Sequence, residues 1–216
     1  MPAPTLLYLH GFRSSPASAK ARVTAHRIEE INHAREAAGA APVRWICPQL
    51  PPSPAAAIAL CRERVAGVAP EALCIIGSSL GGFYATHLAE TLGCRAALLN
   101  PAVDPARDLA GHIGTQTAWH DPALEFRFTA EHVRELRALE IGDLRRPVPH
   151  PERFFAVIAK GDEVLDWREM AARYAGARTE LLDGGDHALS DYPTRHLEPT
   201  LCWCGAAADA AALSTD

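Results

Sequence analysis

Short, continuous apolar runs alternate along this chain with longer segments in which apolar residues recur every three or four positions. Thr5 to His10 is the first run, and it ends at Gly11. Ser15-Pro16 then supplies an N-cap and a first-turn proline, and Ala17, Ala21, Ala25, Ile28, Ile31 and Ala34 mark one face of a helix that stops near Gly39. Val43 to Cys47 reads as a strand, closed by Pro48 and the Leu50-Pro51-Pro52 turn. Ser53-Pro54 opens a second helix with Ile58, Cys61, Val65 and Val68 on its buried face. Leu73 to Ile76 is a strand, a helix runs from Leu80 to its stop at Gly93, and Ala96 to Leu99 is a strand ended by Asn100-Pro101.

The rhythm then breaks. Residues 104 to 151 are polar and turn-rich, apart from a helical patch at about Glu131 to Leu139. Regularity returns with a strand at Phe154 to Ala159, a helix at Trp167 to Tyr174, a strand at Thr179 to Leu182 and a helix at Tyr192 to Trp203. Apolar strands separated by amphipathic helices predict a mostly or wholly parallel sheet of about six strands with helices on both faces. Such a sheet gathers reactive groups at the carboxyl ends of its strands. The chain reads as one domain over 1–205, followed by a fraying alanine-rich tail at 206–216. A long irregular section inside a compact domain is usually functional, so 104–151 is expected to form a cap.

Composition narrows the function. The chain has 216 residues, 48% hydrophobic and 22% charged, with a net charge of -5. Arg145-Arg146 is the densest basic pair, so the clustered cations that nucleic acid requires are missing. Met1 to Thr5 carries no positive charge, the run Leu6 to Leu9 is too short for a secretory core, and no stretch reaches membrane-spanning length. These features point to the cytoplasm. The six cysteines agree with that, since Cys47, Cys61, Cys74 and Cys94 sit singly in regular segments, and Cys202-x-Cys204 alone offers too few ligands for zinc.

The chemical signal is Gly77-Ser78-Ser79-Leu80-Gly81, a G-x-S-x-G sequence between a strand and a helix. A glycine-rich turn made only for packing would match the same residues, but this context favours a nucleophile elbow with Ser79 at its centre. A serine hydroxyl needs a base. Of ten histidines, His187 follows the last strand in a Gly184-Gly185 turn. Asp162 ends the preceding strand and completes the order serine, acid, histidine. Asp166 is a rival acid, while Asp183 and Asp186 lie so close to His187 that they read as turn formers. The oxyanion donors expected are the backbone N–H groups of Leu80 and of Phe12, with Gly11 allowing a close turn and His10 bracing the loop.

Four segments, LLYLHGFRSSPASAKA, IIGSSLGGFYA, KGDEVLDWREM and GGDHAL, together resemble the YqiA-like esterase family, a UPF0227-type family of the α/β-hydrolase superfamily. The resemblance runs over roughly residues 5 to 200 and is weakest in the insert. It implies a compact α/β-hydrolase acting on carboxylic esters, or on acyl-CoA thioesters, without metal or organic cofactor. By that resemblance Ser79 is the nucleophile, Asp162 the acid and His187 the base. His112, Trp119, His120 and Trp167 depart from the family pattern and are expected to reshape the pocket, and the Cys202-Trp203-Cys204 tail also departs. The partner expected is a small ester or thioester. A non-catalytic binding module on the same fold is the reading from another class, and the oligomeric state is left open.

Overall fold

The computed structural model describes residues 4–121 and 123–207. In chain order these form β1 (Thr5–Leu9), α1 (Ala19–Ala37), β2 (Arg44–Ile46), α2 (Pro54–Arg64), β3 (Leu73–Ser78), α3 (Leu80–Leu92) and β4 (Arg95–Leu99). The insert contributes a short α4 (Pro105–Asp108), β5 (Gly114–Thr117), β6 (Glu125–Phe128) and α5 (Ala130–Ala138). Then come β7 (Phe154–Ala159), α6 (Trp167–Arg173), β8 (Arg178–Leu182) and α7 (Leu197–Trp203).

Six strands make one sheet in the order β2-β1-β3-β4-β7-β8, with every neighbouring pair parallel. Side chains alternate between two cores. Leu7, Leu9 and Ile75 pack with α2, α3 and α5 on one face. Leu6, Tyr8, Cys74 and Ile76 pack with Ile28 and Ile31 of α1 and Leu197 and Leu201 of α7 on the other. Burial on both faces explains why the four central strands, β1, β3, β4 and β7, read as continuous apolar runs rather than as an alternation. This is the α/β-hydrolase architecture. Among the described residues, no helix is long and apolar enough to cross a membrane.

Four local readings need correction. Helix α1 begins at Ala19 with Ser18 as N-cap, because Ser15 is buried and its hydroxyl holds the Ala17 N–H in a preceding turn. Its buried face is Ala21, Thr24, Ile28 and Ile31; Ala17 and Ala34 are exposed. Thr24 joins that face because its hydroxyl is bonded to Lys20 O at 2.7 Å and lies 2.9 Å from the Tyr192 hydroxyl. Helix α2 stops at Arg64, so Val68 lies beyond it. The last predicted helix is split, with a π turn over Tyr192–His196 before α7; Pro199 has no N–H for the carbonyl four residues back.

The fourth correction concerns the insert, which holds an antiparallel hairpin, β5 with β6, as well as the helical patch. Its strands are only partly buried and show little apolar alternation apart from Phe126 and Phe128. Both rings meet Phe12, with centroids 5.8 and 5.2 Å away. Helix α5 docks on α2, where Glu135 accepts from the Ser53 hydroxyl at 2.7 Å and the Ala55 N–H at 3.1 Å. In the tail, Cys204 is buried against Cys74 of β3 with 2.9 Å between sulfurs. The tail expected at 206–216 lies outside the described residues from 208 onward.

A buried arginine fastens the far end of the insert. Arg173 is 3% exposed, and burial holds its pKa below the usual arginine value. Its guanidinium donates to the carbonyls of Ile141 (2.6 Å), Arg146 (2.8 Å) and Asp143 (3.0 Å). Arg173→Met leaves those three carbonyls without their charged donor. The expected loss is about 2–4 kcal/mol of stability, read as a lower urea midpoint at unchanged m value.

Candidate active site

The sheet order creates the site. From β1 the chain moves outward to β2, and from β3 it moves the other way to β4, so the loops after β1 and β3 part at the sheet's carboxyl edge. Ligands of open α/β sheets bind in such a crevice. Ser79 stands there, between the end of β3 and the start of α3, with φ 55° and ψ −121°. A non-glycine residue at positive φ is strained and must be held by its surroundings. The Ser79 N–H donates to Leu99 O at 3.0 Å, and its carbonyl accepts from Gly82 at 2.8 Å and Ala102 at 3.0 Å.

The flanking glycines are obligatory. A Cβ on Gly77 would lie 2.3 Å from the Gly81 carbonyl oxygen, and one on Gly81 would lie 2.0 Å from that of Leu9. Both obstacles are backbone, which cannot swing aside. Gly11 is the close approach from the β1 loop, its Cβ position 3.2 Å from Ser79 Cβ. His10 donates from Nδ1 to Gly11 O at 3.0 Å and accepts the Leu50 N–H on Nε2 at 3.1 Å. Both ring nitrogens therefore hold backbone, and burial lowers the pKa, favouring the neutral ring. Phe12 packs its ring under the hairpin, while Leu80 opens α3 directly after Ser79.

Two further loops bring the acid and the imidazole. Ser79 Oγ lies 3.0 Å from His187 Nε2, and His187 Nδ1 lies 2.7 Å from Asp162 Oδ2. The other Asp162 oxygen accepts the N–H groups of Val164 and Leu165, both at 2.8 Å, so a fully buried carboxylate is fixed from two sides. The loops after β7 and β8 touch closely, since a Cβ on Gly161 would meet Gly185 O at 2.3 Å. Asp166 is elsewhere, as the N-cap of α6, accepting from Arg168 N–H at 2.9 Å. Asp183 pairs with Lys160 at 2.5 Å, and Asp186 accepts from the Ser190 N–H at 2.8 Å.

A cavity of about 490 Å³ opens beside Ser79 and His187, with Trp119 on its rim. A narrower slot of about 60 Å³ runs between Leu80, Tyr84, Leu124, Phe126 and Phe128, with His120 at its edge. Arg13 ties the hairpin down, donating to Thr117 O at 2.6 Å and stacking 4.0 Å from the Trp119 ring. His112 packs on Phe12, and Trp167 lies apart, under Arg168 and Lys160.

One important residue has no place in the sequence reading. Asn100 was legible only as a strand terminator. It is fully buried at φ 42°, its amide donating to the carbonyls of Asp186 (2.9 Å) and His187 (3.2 Å) and its oxygen accepting the Ala159 N–H (2.8 Å). It holds the His187 loop to the sheet. The available signal was a polar residue directly following an apolar strand, of a type that tolerates positive φ.

The model of the uncharacterised protein family UPF0227 matches residues 5–202. Among solved structures, alpha/beta hydrolase domain-containing protein 10 from mouse is similar at TM-score 0.63 and 16% identity, over 93% of this chain and 88% of that one. Est1E from Butyrivibrio proteoclasticus is similar at TM-score 0.61 and 16% identity, over 92% and 85%. The esterase domain of a Rhodothermus marinus protein gives TM-score 0.52 and 23% identity, over 88% and 81%. At these identities the likeness is one of fold.

Asn100→Ala removes three hydrogen bonds and strands the buried Ala159 N–H. It is expected to cost about 2–3 kcal/mol, and to speed amide exchange across 186–189 beyond what that global loss explains. Native-state hydrogen exchange checks this.

Proposed function

The chain belongs to the uncharacterised protein family UPF0227, and from that premise and the site geometry we propose that it is a serine esterase working through an acyl-enzyme. The observation that carries this reading is the continuous relay from Ser79 through His187 to Asp162, at 3.0 and 2.7 Å. Ser79 attacks the ester carbonyl as His187 Nε2 takes the hydroxyl proton. Asp162 holds Nδ1–H, which fixes the tautomer and stabilises the imidazolium that forms. The oxyanion accepts from the backbone N–H groups of Leu80 and Phe12, and the N-terminal end of α3 adds favourable potential. His187 then protonates the leaving group, and water repeats the sequence to release the acid.

Residues 104–151 act as the cap. Their hairpin supplies Phe126 and Phe128 to the narrow slot, which takes the acyl group, and Trp119 to the rim of the larger cavity. No step of this scheme calls for a metal or an organic cofactor.

A fluorophosphonate probe should label Ser79, found by peptide mass spectrometry, and a panel of p-nitrophenyl esters and acyl-CoAs should show which acyl donor is turned over. Ser79→Ala should abolish labelling and turnover in a folded protein, leaving at most the residual ~10³–10⁴-fold acceleration over water that binding alone provides. Ser78→Ala should still be labelled at Ser79.

The acid is tested by two variants. Asp162→Asn should stay folded and lose up to ~10⁴ in kcat. Asp166→Ala should keep its activity and lose about 0.5–2 kcal/mol through the lost helix cap. Steady-state kinetics and melting curves on both proteins separate the roles, and the reverse pattern would move the acid to Asp166.

A further inference from the structure

One wall of the cavity beside Ser79 has no part in the relay. Lys20, in the first turn of α1, lines it together with Ser14, Ser18 and Ser190. The Lys20 ammonium donates to the carbonyl of Ala188, the residue after His187. The carboxylates whose charge it feels are Asp186 and Asp162. Each already has its own partners, Asp186 the Ser190 N–H and hydroxyl, Asp162 the His187 ring. Among the described residues Lys20 makes no ion pair. An ammonium has three donors, so two remain beyond the bond to Ala188. Burial lowers its pKa to about 8, opposed by those two carboxylates, so it is mostly charged at neutral pH. A cation partly withdrawn from water and facing a cavity is stabilised by an anion placed there.

The chemistry fixes which half of a substrate enters this cavity. His187 must hand its proton to the departing atom, so the leaving group lies on the His187 side. The cavity is walled on that side by His187, Ala188, Leu189 and Ser190, whereas the slot lies on the side of Leu80, Phe126 and Phe128 under the cap. Resting on the serine-esterase reading, we propose that the alcohol or thiol half of the substrate carries an anionic oxygen group, a carboxylate or a phosphate, held by Lys20. Ser14 offers a hydroxyl donor on the same cavity wall, while the Ser190 hydroxyl is spent on Asp186. Lys20 is thereby a specificity-determining residue rather than only a brace for the His187 loop.

The test compares phenyl acetate with 4-acetoxybenzoate and with 4-acetoxyphenyl phosphate. These share the acyl group and have leaving phenols of similar basicity, but differ in the charge of the leaving half. Wild-type protein should prefer an anionic ester in kcat/KM, and the preference should shrink as ionic strength rises. Whichever anion is preferred identifies the source. In Lys20→Met the preference should fall about tenfold, the size of one charge-assisted hydrogen bond, and Lys20→Arg should restore most of it. The ratio between esters is the readout because any loosening of the His187 loop lowers both rates and cancels. A wild-type ratio near one, or a ratio unchanged by Lys20→Met, overturns the inference and leaves Lys20 as a brace. Fluorophosphonate labelling keeps the two readings apart. Labelled Ser79 with a charge-blind ratio sinks this inference alone; unlabelled Ser79 with no ester turned over sinks the esterase reading with it.

Discussion

The site depends on how closely α3 approaches the end of β1. The Gly81 Cβ position is 2.0 Å from the Leu9 carbonyl oxygen, and that of Gly77 is 2.3 Å from Gly81 O. No side chain can occupy either point without moving backbone that belongs to the sheet. That contact is what presents Ser79 at the mouth of the crevice, because the turn between β3 and α3 has no room to relax. The strain of its positive φ, about 1–3 kcal/mol in such cases, is offset by three backbone hydrogen bonds and by a core in which β1, β3 and β4 are almost wholly buried.

A second close approach serves the imidazole. Gly161 and Gly185 bring the loops after β7 and β8 together, and Asn100 ties the second of them to the end of β4. The loops of the relay are therefore held at the ends of β4, β7 and β8 by a close backbone approach and by the Asn100 side chain. His187 itself remains partly exposed, at 21% of its side chain, while Asp162 is fully covered. Under the proposed mechanism this division suits a group that exchanges a proton with a substrate and a partner that does not.

The insert couples to the same frame through the β1 loop. Phe12 lies against Phe126 and Phe128, and Arg13 grips Thr117 and Trp119. A change in the hairpin is thus transmitted to the loop that carries Gly11 and Phe12, close to Ser79. Lys20 extends the connection from the opposite wall by reaching from α1 to Ala188. The two halves of an ester would meet different residues, Phe126 and Phe128 under the cap on one side and Lys20 beside Ala188 on the other.

The sequence by itself determined the parallel sheet and the centre of the elbow. A strand buried on both faces must be apolar throughout, and the close backbone approach on either side of Ser79 demands glycines, so both leave local marks. It placed Asp162 at a strand end but left Asp166 as a rival, and the geometry puts the first on His187 and the second at the start of α6. The hairpin, the start of α1 at Ser18, the role of Asn100 and the direction of Lys20 were decided only in three dimensions. Their partners, Phe12, Ser15, Asp186 and Ala188, lie in other segments or in turns without periodicity. Hydrophobic pattern records what a residue does within its own element, while a hydrogen bond between loops many residues apart leaves no local trace.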